Sequence, residues 1–161
     1  MPFGMGQHPW FPRHDEVIAR FQSGRYLTSD EEGQPTYEEN LTQDFDFSQW
    51  REPPRMYQNK CYKDWVGFAE IYWPEAAIYL TIKGEKMFKN LMFHVPANDP
   101  ETFCLEPQTN APCEFDTLNQ FDIGSGIYLL KTDETLRGNI EFSASKASQQ
   151  PAKSMQNHIN A

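Results

Sequence analysis

Glu106 stands at the end of the apolar stretch 103–105, and Pro107 follows it directly. The apolar residues favour a buried strand, and we expect Pro107 to end strand pairing because it has no N–H to donate. A carboxylate at such a junction is held rigidly and partly desolvated, which is how a general base is commonly made. The same residues are also consistent with a strand-end glutamate that points into water.

Three motifs, in order along the chain, resemble those of the aldose 1-epimerase (galactose mutarotase) family. Residues 1–13, MPFGMGQHPWFPR, are similar to the family pattern P-F-G-x-G-x-H-P-[WY]-F. Residues 65–75, WVGFAEIYWPE, are similar to its W-x-G-x-A-x-I-x-W-P-E hairpin, and residues 103–116, FCLEPQTNAPCEFD, to the first half of its F-C-x-E-P-x-T-H-A-P-D-A-F-N motif. The resemblance extends over residues 1–144.

The resemblance implies the interconversion of the α and β anomers of a free aldohexose. The C1 hydroxyl loses a proton while the ring oxygen gains one, so one base and one acid on opposite sides of the acetal suffice. Glu106 matches the family's base and His8 its acid. The substrate-binding positions implied are Asn59, Trp10 and Gln108, although Trp10 could equally be a buried anchor for its loop. No cofactor and no metal are expected.

The chain also departs from the family pattern. Asn59 replaces a sugar-contacting Asp, and Asn110 and Cys113 replace a His and an Asp. The family's N-terminal strands, with a sugar-contacting Arg and a further His, have no counterpart. We therefore expect a C-terminal part of the sandwich, truncated at its N-terminal side. Exposed strand edges would favour self-association or pairing with a separate N-terminal half.

The composition excludes several function classes. The net charge of −9 over 161 residues argues against nucleic acid and anionic membranes as partners. No apolar run approaches the roughly 20 residues that span a bilayer. Cys61, Cys104 and Cys113 are odd in number and lack CxxC spacing, which favours thiols in a reducing cytoplasm over zinc ligation.

A two-residue alternation predicts an all-β fold, an antiparallel β-sandwich. Ala69, Ile71 and Trp73 share one face, and the sets 78/80/82, 91/93/95 and 136/140/142 repeat the inward pattern. Short strands are also expected at 17–21 and 26–27. Residues 28–58 are acidic and rich in turn formers, which predicts a surface excursion packed down by Phe45, Phe47 and Trp50. The domain would cover residues 1–144, and residues 145–161 would be a polar tail.

Two alternative functions stay open. The first is a non-catalytic carbohydrate-binding or interaction module, in which tryptophans stack on sugars: Trp10, Trp50, Trp65 and Trp73. The second is a hexose-6-phosphate 1-epimerase, whose phosphate would need basic side chains such as Arg13, Arg20 and Arg25. His14 and His94 match no motif and are interpreted as surface or strand-face residues.

Overall fold

The secondary structure is built from short antiparallel strands. The computed structural model describes residues 1–30, 35–112 and 126–147, and these ranges contain strands and no helix. Accordingly, the described residues include no helix long and apolar enough to cross a membrane. The strands are β1 (Pro2–Phe3), β2 (Trp10–Pro12), β3 (Ile18–Phe21), β4 (Arg25–Ser29), β5 (Pro35–Asn40), β6 (Gln58–Lys63), β7 (Phe68–Trp73), β8 (Ile78–Gly84), β9 (Asn90–Val95), β10 (Thr102–Gln108), β11 (Tyr128–Leu129) and β12 (Ile140–Lys146).

Two sheets face each other across the core. The larger has the order β2-β10-β9-β6-β4-β5 and the smaller the order β12-β8-β7-β3, and β1 pairs separately with β11. Every pairing is antiparallel. The predicted all-β, antiparallel sandwich is confirmed.

The alternation along β7 forms the inner face of the smaller sheet. Ala69 and Ile71 are fully buried and lie in register with Ile82 and Leu80 of β8. Because neighbouring residues in register point to the same side, these rows pack as one apolar surface against the larger sheet. The main core is rich in aromatic rings, most of them from the strands of the two sheets: Phe11, Phe21, Phe47, Tyr62, Trp65, Trp73, Phe93 and Phe103.

The opposite face of β7 is partly covered as well. Tyr72 lies on the face opposite to Ala69 and Ile71, where it is buried in a small cluster with Ile18 and Trp50. Trp50 is brought there by a backbone bridge between Arg51 and Ala19 of the edge strand β3. Aromatic residues of the predicted excursion therefore pack on the domain, as expected.

The prediction for residues 28–58 was wrong in one respect. Residues 35–40 form strand β5, which pairs with β4 at the edge of the larger sheet. This strand is polar and acidic, so it lacks the apolar alternation by which strands are recognised in a sequence. Pairing with β4 and the hydrogen bond from Tyr26 Oη to Glu39 hold it in place.

The inner face of the smaller sheet is uncovered at β12. Phe142 lies in one row with Ile82 and Ala69, so its register points it inward as predicted. It is nevertheless 41% exposed. Within the described ranges, the larger sheet ends at β2, an edge strand of three residues, and no further strand follows it. β12 also continues to Lys146, past the residue 145 at which the polar tail was predicted to begin.

Candidate functional site

The outer face of the larger sheet carries a row of polar and aromatic side chains. Trp10 of β2 lies in register with Cys104 of β10, which pairs with His94 of β9, which in turn pairs with Asn59 of β6. Because residues in register point to the same side, all four side chains project away from the core. Four strands therefore present one continuous surface.

Glu106 stands in the next row of the same face. It pairs with Met92, which pairs with Cys61, and both neighbours are buried in a small apolar cluster with Leu27 and Ala111. Only 4% of Glu106 is exposed. The carboxylate is thus desolvated by its sheet neighbours and does not point freely into water, which was the alternative interpretation from the sequence.

The segment between β1 and β2 runs along the outer edge of β10. Gly6 forms a backbone bridge with Gln108, and the Gln7 amide donates to the Pro107 carbonyl at 3.1 Å. The amide of Thr109 donates to the Met5 carbonyl at 2.9 Å. These bonds place the following residue, His8, above Glu106.

The prediction that Pro107 ends strand pairing was wrong, since β10 remains paired with β9 through Gln108. In an antiparallel pair the N–H and C=O of one residue point to the same side. The Pro107 carbonyl accepts from Gln7, so its nitrogen also points toward the N-terminal segment and away from β9. The absence of an N–H at Pro107 therefore removes no hydrogen bond between β10 and β9.

The close approach of the N-terminal segment requires glycine at position 6. A Cβ there would lie 2.9 Å from the Pro107 carbonyl oxygen and 2.9 Å from Gln108 Cγ. Any larger residue would push the segment away from β10 and would displace His8 from Glu106. The glycine punctuation of the first motif thus has a steric explanation.

The central contact of the site joins the two groups that the resemblance identifies as acid and base. His8 Nε2 lies 3.2 Å from Glu106 Oε1, and the His8 side chain is 52% exposed. The imidazole ring stacks on Trp10, with ring centroids 5.3 Å apart and planes 15° apart. These two groups are therefore in direct contact, and no gap the size of a hexose separates them, as the expected mechanism would require.

Burial dominates the electrostatics of Glu106. Desolvation raises the pKa of its carboxyl group, and the nearby His8 and a hydrogen bond from Gln108 partly offset this rise. Gln108 Nε2 donates to Glu106 Oε2 at 3.2 Å. The carboxyl group therefore has one oxygen directed to His8 and the other held by an amide.

His94 is held in a defined tautomer. Its Nδ1 lies 3.1 Å from Asn59 Oδ1, and because a carbonyl oxygen can only accept, Nδ1 carries the proton. Burial and then the neighbouring His8 lower the pKa of His94, which favours the neutral ring. The His94 ring lies edge-on to the His8 and Trp10 rings, with ring centroids 6.2 and 6.1 Å apart.

A cleft of about 310 Å³ opens next to Glu106. This volume is at the lower end of that typical for small-molecule sites. One wall is the N-terminal segment 4–8, and the other wall is formed by Glu106, Gln108 and Asn110. The lining is rich in carboxylate, imidazole and amide groups, which are suited to hydrogen bonds with hydroxyl groups.

The structure brings the five predicted site residues to one face of one sheet. Trp10 is 54% exposed, so it is not a buried anchor. The other three tryptophans offered for sugar stacking are buried: Trp50, Trp65 and Trp73. Cys113, a predicted point of departure from the motif, lies outside the described residues.

Two residues of this surface were missed by the sequence analysis. His94 was interpreted as a strand-face residue, but its ring contacts His8, Trp10 and Tyr57. Tyr57 is 56% exposed and lies edge-on to His94, at 6.2 Å between ring centroids. The only available signal was the alternation of β9, which puts His94 on the same side as Met92 but gives no register.

The three arginines considered for a phosphate are engaged elsewhere. Arg13 is buried and donates to the carbonyls of Pro53 and Pro54. Arg20 pairs with Glu70 and Arg25 pairs with Glu38 and Asp64. None of the three lines the cleft at Glu106 within the described part of the chain, so the hexose-6-phosphate interpretation loses its support.

Comparisons with known proteins bear on the fold. No family model matches the chain. Over 119 residues the chain is 31% identical to YphB of Escherichia coli K12, described as an uncharacterized protein, and the match covers 70% of this chain and 41% of that protein.

Solved structures match over most of the chain. A "putative aldose 1-epimerase" from Escherichia coli K12 superposes with a TM-score of 0.82 at 23% identity, over 91% of this chain and 51% of the other. A galactose mutarotase-like protein from Clostridium acetobutylicum superposes with a TM-score of 0.67 at 17% identity, over 91% and 48%. The chain thus has the galactose mutarotase-like fold and spans about half the length of the proteins it matches, which confirms the predicted fold type.

Proposed function

We propose that the chain belongs to the aldose 1-epimerase family and acts on the anomers of a free aldohexose by acid–base catalysis. The observation that carries this proposal is the contact between Glu106 and His8, a buried carboxylate 3.2 Å from an exposed imidazole. The galactose mutarotase-like fold supports it. Proton transfer at the C1 hydroxyl and the ring oxygen is the chemistry that such a pair can perform.

Glu106 is the base. Burial raises the pKa of its carboxyl group toward the working range, which makes its carboxylate a stronger proton acceptor than an exposed glutamate. Gln108 holds one carboxylate oxygen, so the other oxygen is the one that accepts a proton from the sugar.

His8 is the acid, and it must move away from Glu106 when a sugar binds. A contact of 3.2 Å leaves no space for a hexose ring between the two groups. The imidazole is half exposed and stacks on the exposed Trp10, so it can turn toward solvent without disturbing the core. Once separated, the two groups face the sugar from different sides.

Sugar binding uses the polar row beside the cleft. Trp10 offers an exposed apolar ring face, on which the C–H face of a hexose can pack. The amides of Asn59 and Gln108 can exchange hydrogen bonds with hydroxyl groups. Asn59 Oδ1 is engaged by His94, which leaves its NH₂ group as the donor toward a sugar.

The test is anomer exchange of glucose and galactose, measured by NMR saturation transfer with the full chain. We expect exchange faster than in buffer alone, and a loss of about 10²- to 10⁴-fold in the Glu106→Gln variant. The matched control is Glu101→Gln, which removes an exposed carboxylate directly before β10 and should leave exchange unchanged. Exchange no faster than buffer, both alone and mixed with a polypeptide that supplies the other half of the fold, removes the proposal.

A second candidate is a non-catalytic carbohydrate-binding module. The exposed Trp10 ring supports it, because an exposed aromatic face can pack on a sugar without any proton transfer. Sugar-induced chemical-shift changes at Trp10 in the absence of exchange would support this candidate over catalysis.

The uncovered inner face at β12 supports a proposal about assembly. Phe142 points toward the space between the sheets yet is 41% exposed. Burial of such a face favours association with a second copy or with a polypeptide that supplies further strands. We also propose a cytoplasmic location, on the cysteine pattern of the sequence alone.

A further inference from the structure

A third side chain, Cys104, converges with the proposed acid and base. A ring nitrogen of His8, the Sγ atom of Cys104 and a carboxylate oxygen of Glu106 all lie within 4.8 Å of one another. Cys104 precedes Glu106 by two residues on β10, so both side chains project from the same face of the strand. The proposed sugar chemistry has no use for a thiol at this position.

We propose that His8, Cys104 and Glu106 form a binding site for Zn²⁺ that blocks the site when it is occupied. The donor set of one nitrogen, one sulfur and one carboxylate oxygen suits Zn²⁺ and does not suit Mg²⁺ or Ca²⁺, which take oxygen ligands. Three protein ligands leave the fourth tetrahedral position to water.

The geometry requires only a small closure. Zinc bonds of about 2.0–2.3 Å separate tetrahedral donor atoms by roughly 3.3–3.8 Å. Cys104 and Glu106 are fixed on a central strand and are buried, whereas His8 is half exposed. His8 therefore supplies the movement and is also the side from which an ion enters.

Charge balance favours the ion at this place. The Cys104 thiol releases its proton to solvent when the Zn–S bond forms, so zinc with one thiolate, one carboxylate and one neutral imidazole sums to zero charge. A dication on this face compensates two buried groups whose charged forms are otherwise disfavoured.

The consequence for activity rests on the proposed function. An ion bound to the Glu106 carboxylate and the His8 nitrogen occupies both groups that would exchange protons with a sugar. Zinc would therefore inhibit anomer exchange, and a chelator would restore it.

The binding test does not depend on activity. Co²⁺ is titrated into the reduced, chelator-treated full chain and followed by absorption, since a thiolate bound to Co²⁺ gives a sulfur-to-metal charge-transfer band; Zn²⁺ then displaces it. We expect the band in the natural chain and its loss in Cys104→Ser, with Zn²⁺ affinity lowered at least about tenfold. Cys61→Ser and Cys113→Ser are the matched thiol controls and should retain the band.

His8→Asn provides a second test in case Cys104→Ser does not fold, because His8 is exposed. It should weaken Zn²⁺ by a similar factor while the charge-transfer band is retained at higher Co²⁺. A natural chain without the band, or a band lost in Cys113→Ser and kept in Cys104→Ser, overturns the proposal. If the chain shows no exchange at all, the proposed function fails while the cobalt band still decides the metal site; inhibition is otherwise expressed relative to each variant's own zinc-free rate.

Discussion

His8 Nε2 lies 3.2 Å from Glu106 Oε1, close enough for a hydrogen bond and too close for a sugar ring to fit between them. The two groups lie far apart in the sequence and meet because the N-terminal segment is bonded along β10. In this arrangement each group is the hydrogen-bond partner of the other. Under the proposed function, a bound sugar must replace this contact.

Substituting His8 tests its role as the acid. His8→Asn keeps a polar side chain but has no imidazolium proton to donate, so anomer exchange should fall by about 10²-fold or more. The measurement is NMR exchange at several pH values. His14→Asn, another exposed histidine outside the site, should leave the rate unchanged. Equal rates for the natural chain and His8→Asn would assign the acid to another group.

The pH dependence of stability tests the environment of Glu106. Its folded-state pKa is raised, chiefly by burial, so the folded protein binds this proton more tightly than the unfolded chain. The stabilisation from this group is complete below the unfolded pKa of about 4.3 and is lost as the pH rises through the folded pKa. We expect Glu106→Gln to unfold at higher denaturant concentration than the natural chain at pH 8, and the difference to shrink at pH 4.5.

The measurement is chemical denaturation in buffer that contains a chelator, with Glu101→Gln as the exposed control. If Glu106→Gln is the less stable protein at pH 8, the contact with His8 outweighs desolvation and the direction given for Glu106 is wrong.

The exposed Trp10 ring should contribute to sugar affinity. Trp10→Ala is expected to weaken binding by about 1 kcal/mol, roughly fivefold, since it removes the packing surface for a hexose. A chemical-shift titration with galactose measures this whether or not the chain is catalytic. Tyr37→Ala removes a still more exposed ring on β5 and should have no effect. Unchanged affinity in Trp10→Ala would move the sugar away from the polar row.

Asn59 offers a test of the electrostatics around His94. Asn59→Asp places a carboxylate 3.1 Å from His94 Nδ1, and an opposite charge at that distance should raise the His94 pKa from its present lowered position by roughly one unit or more. NMR titration of the His94 ring resonances gives the value. Asn139→Asp is the distant control. A His94 pKa that does not rise would mean that the two side chains do not contact each other in solution.

Phe142 tests the uncovered face of the smaller sheet. Phe142→Ser should reduce self-association at a given protein concentration, because it removes the exposed apolar ring that points between the sheets. Sedimentation velocity measures the change, with Tyr37→Ser as the control on an exposed ring elsewhere. A natural chain that sediments as a monomer and unfolds cooperatively contradicts the proposal that this face associates with a second polypeptide.

The sequence predicted the elements whose burial alternates. The hairpin of β7 and β8 was predicted correctly because Ala69, Ile71 and Ile82 repeat at the period of a strand with one buried face. β5 was missed because its residues are polar on both faces, so only its pairing with β4 reveals it. Polar edge strands of this kind are held by pairing with a neighbouring strand, and their residue types alone do not identify them as strands.

The site was predictable where it coincides with a motif. Glu106 and His8 were brought together from the resemblance, but their direct contact depends on how the N-terminal segment lies on β10, which no pattern encodes. His94 was missed because its role depends on the register among β9, β10 and β6. Register is set by long-range pairing, and a single sequence does not reveal it.

Pro107 has a consequence for access to the site. The N-terminal segment occupies the place of a neighbouring strand along this part of β10, yet at Pro107 it can accept no ladder hydrogen bond from an N–H. The bond from Gln7 to the Pro107 carbonyl is therefore unreciprocated. Separating this segment from β10 breaks one fewer backbone hydrogen bond than it would if the residue at position 107 had an N–H. The pairing of β10 with β9 does not depend on this segment. Because the Pro107 nitrogen is a tertiary amide without an N–H, the N-terminal segment over Glu106 is joined to β10 at this position by a single backbone hydrogen bond, the one from Gln7.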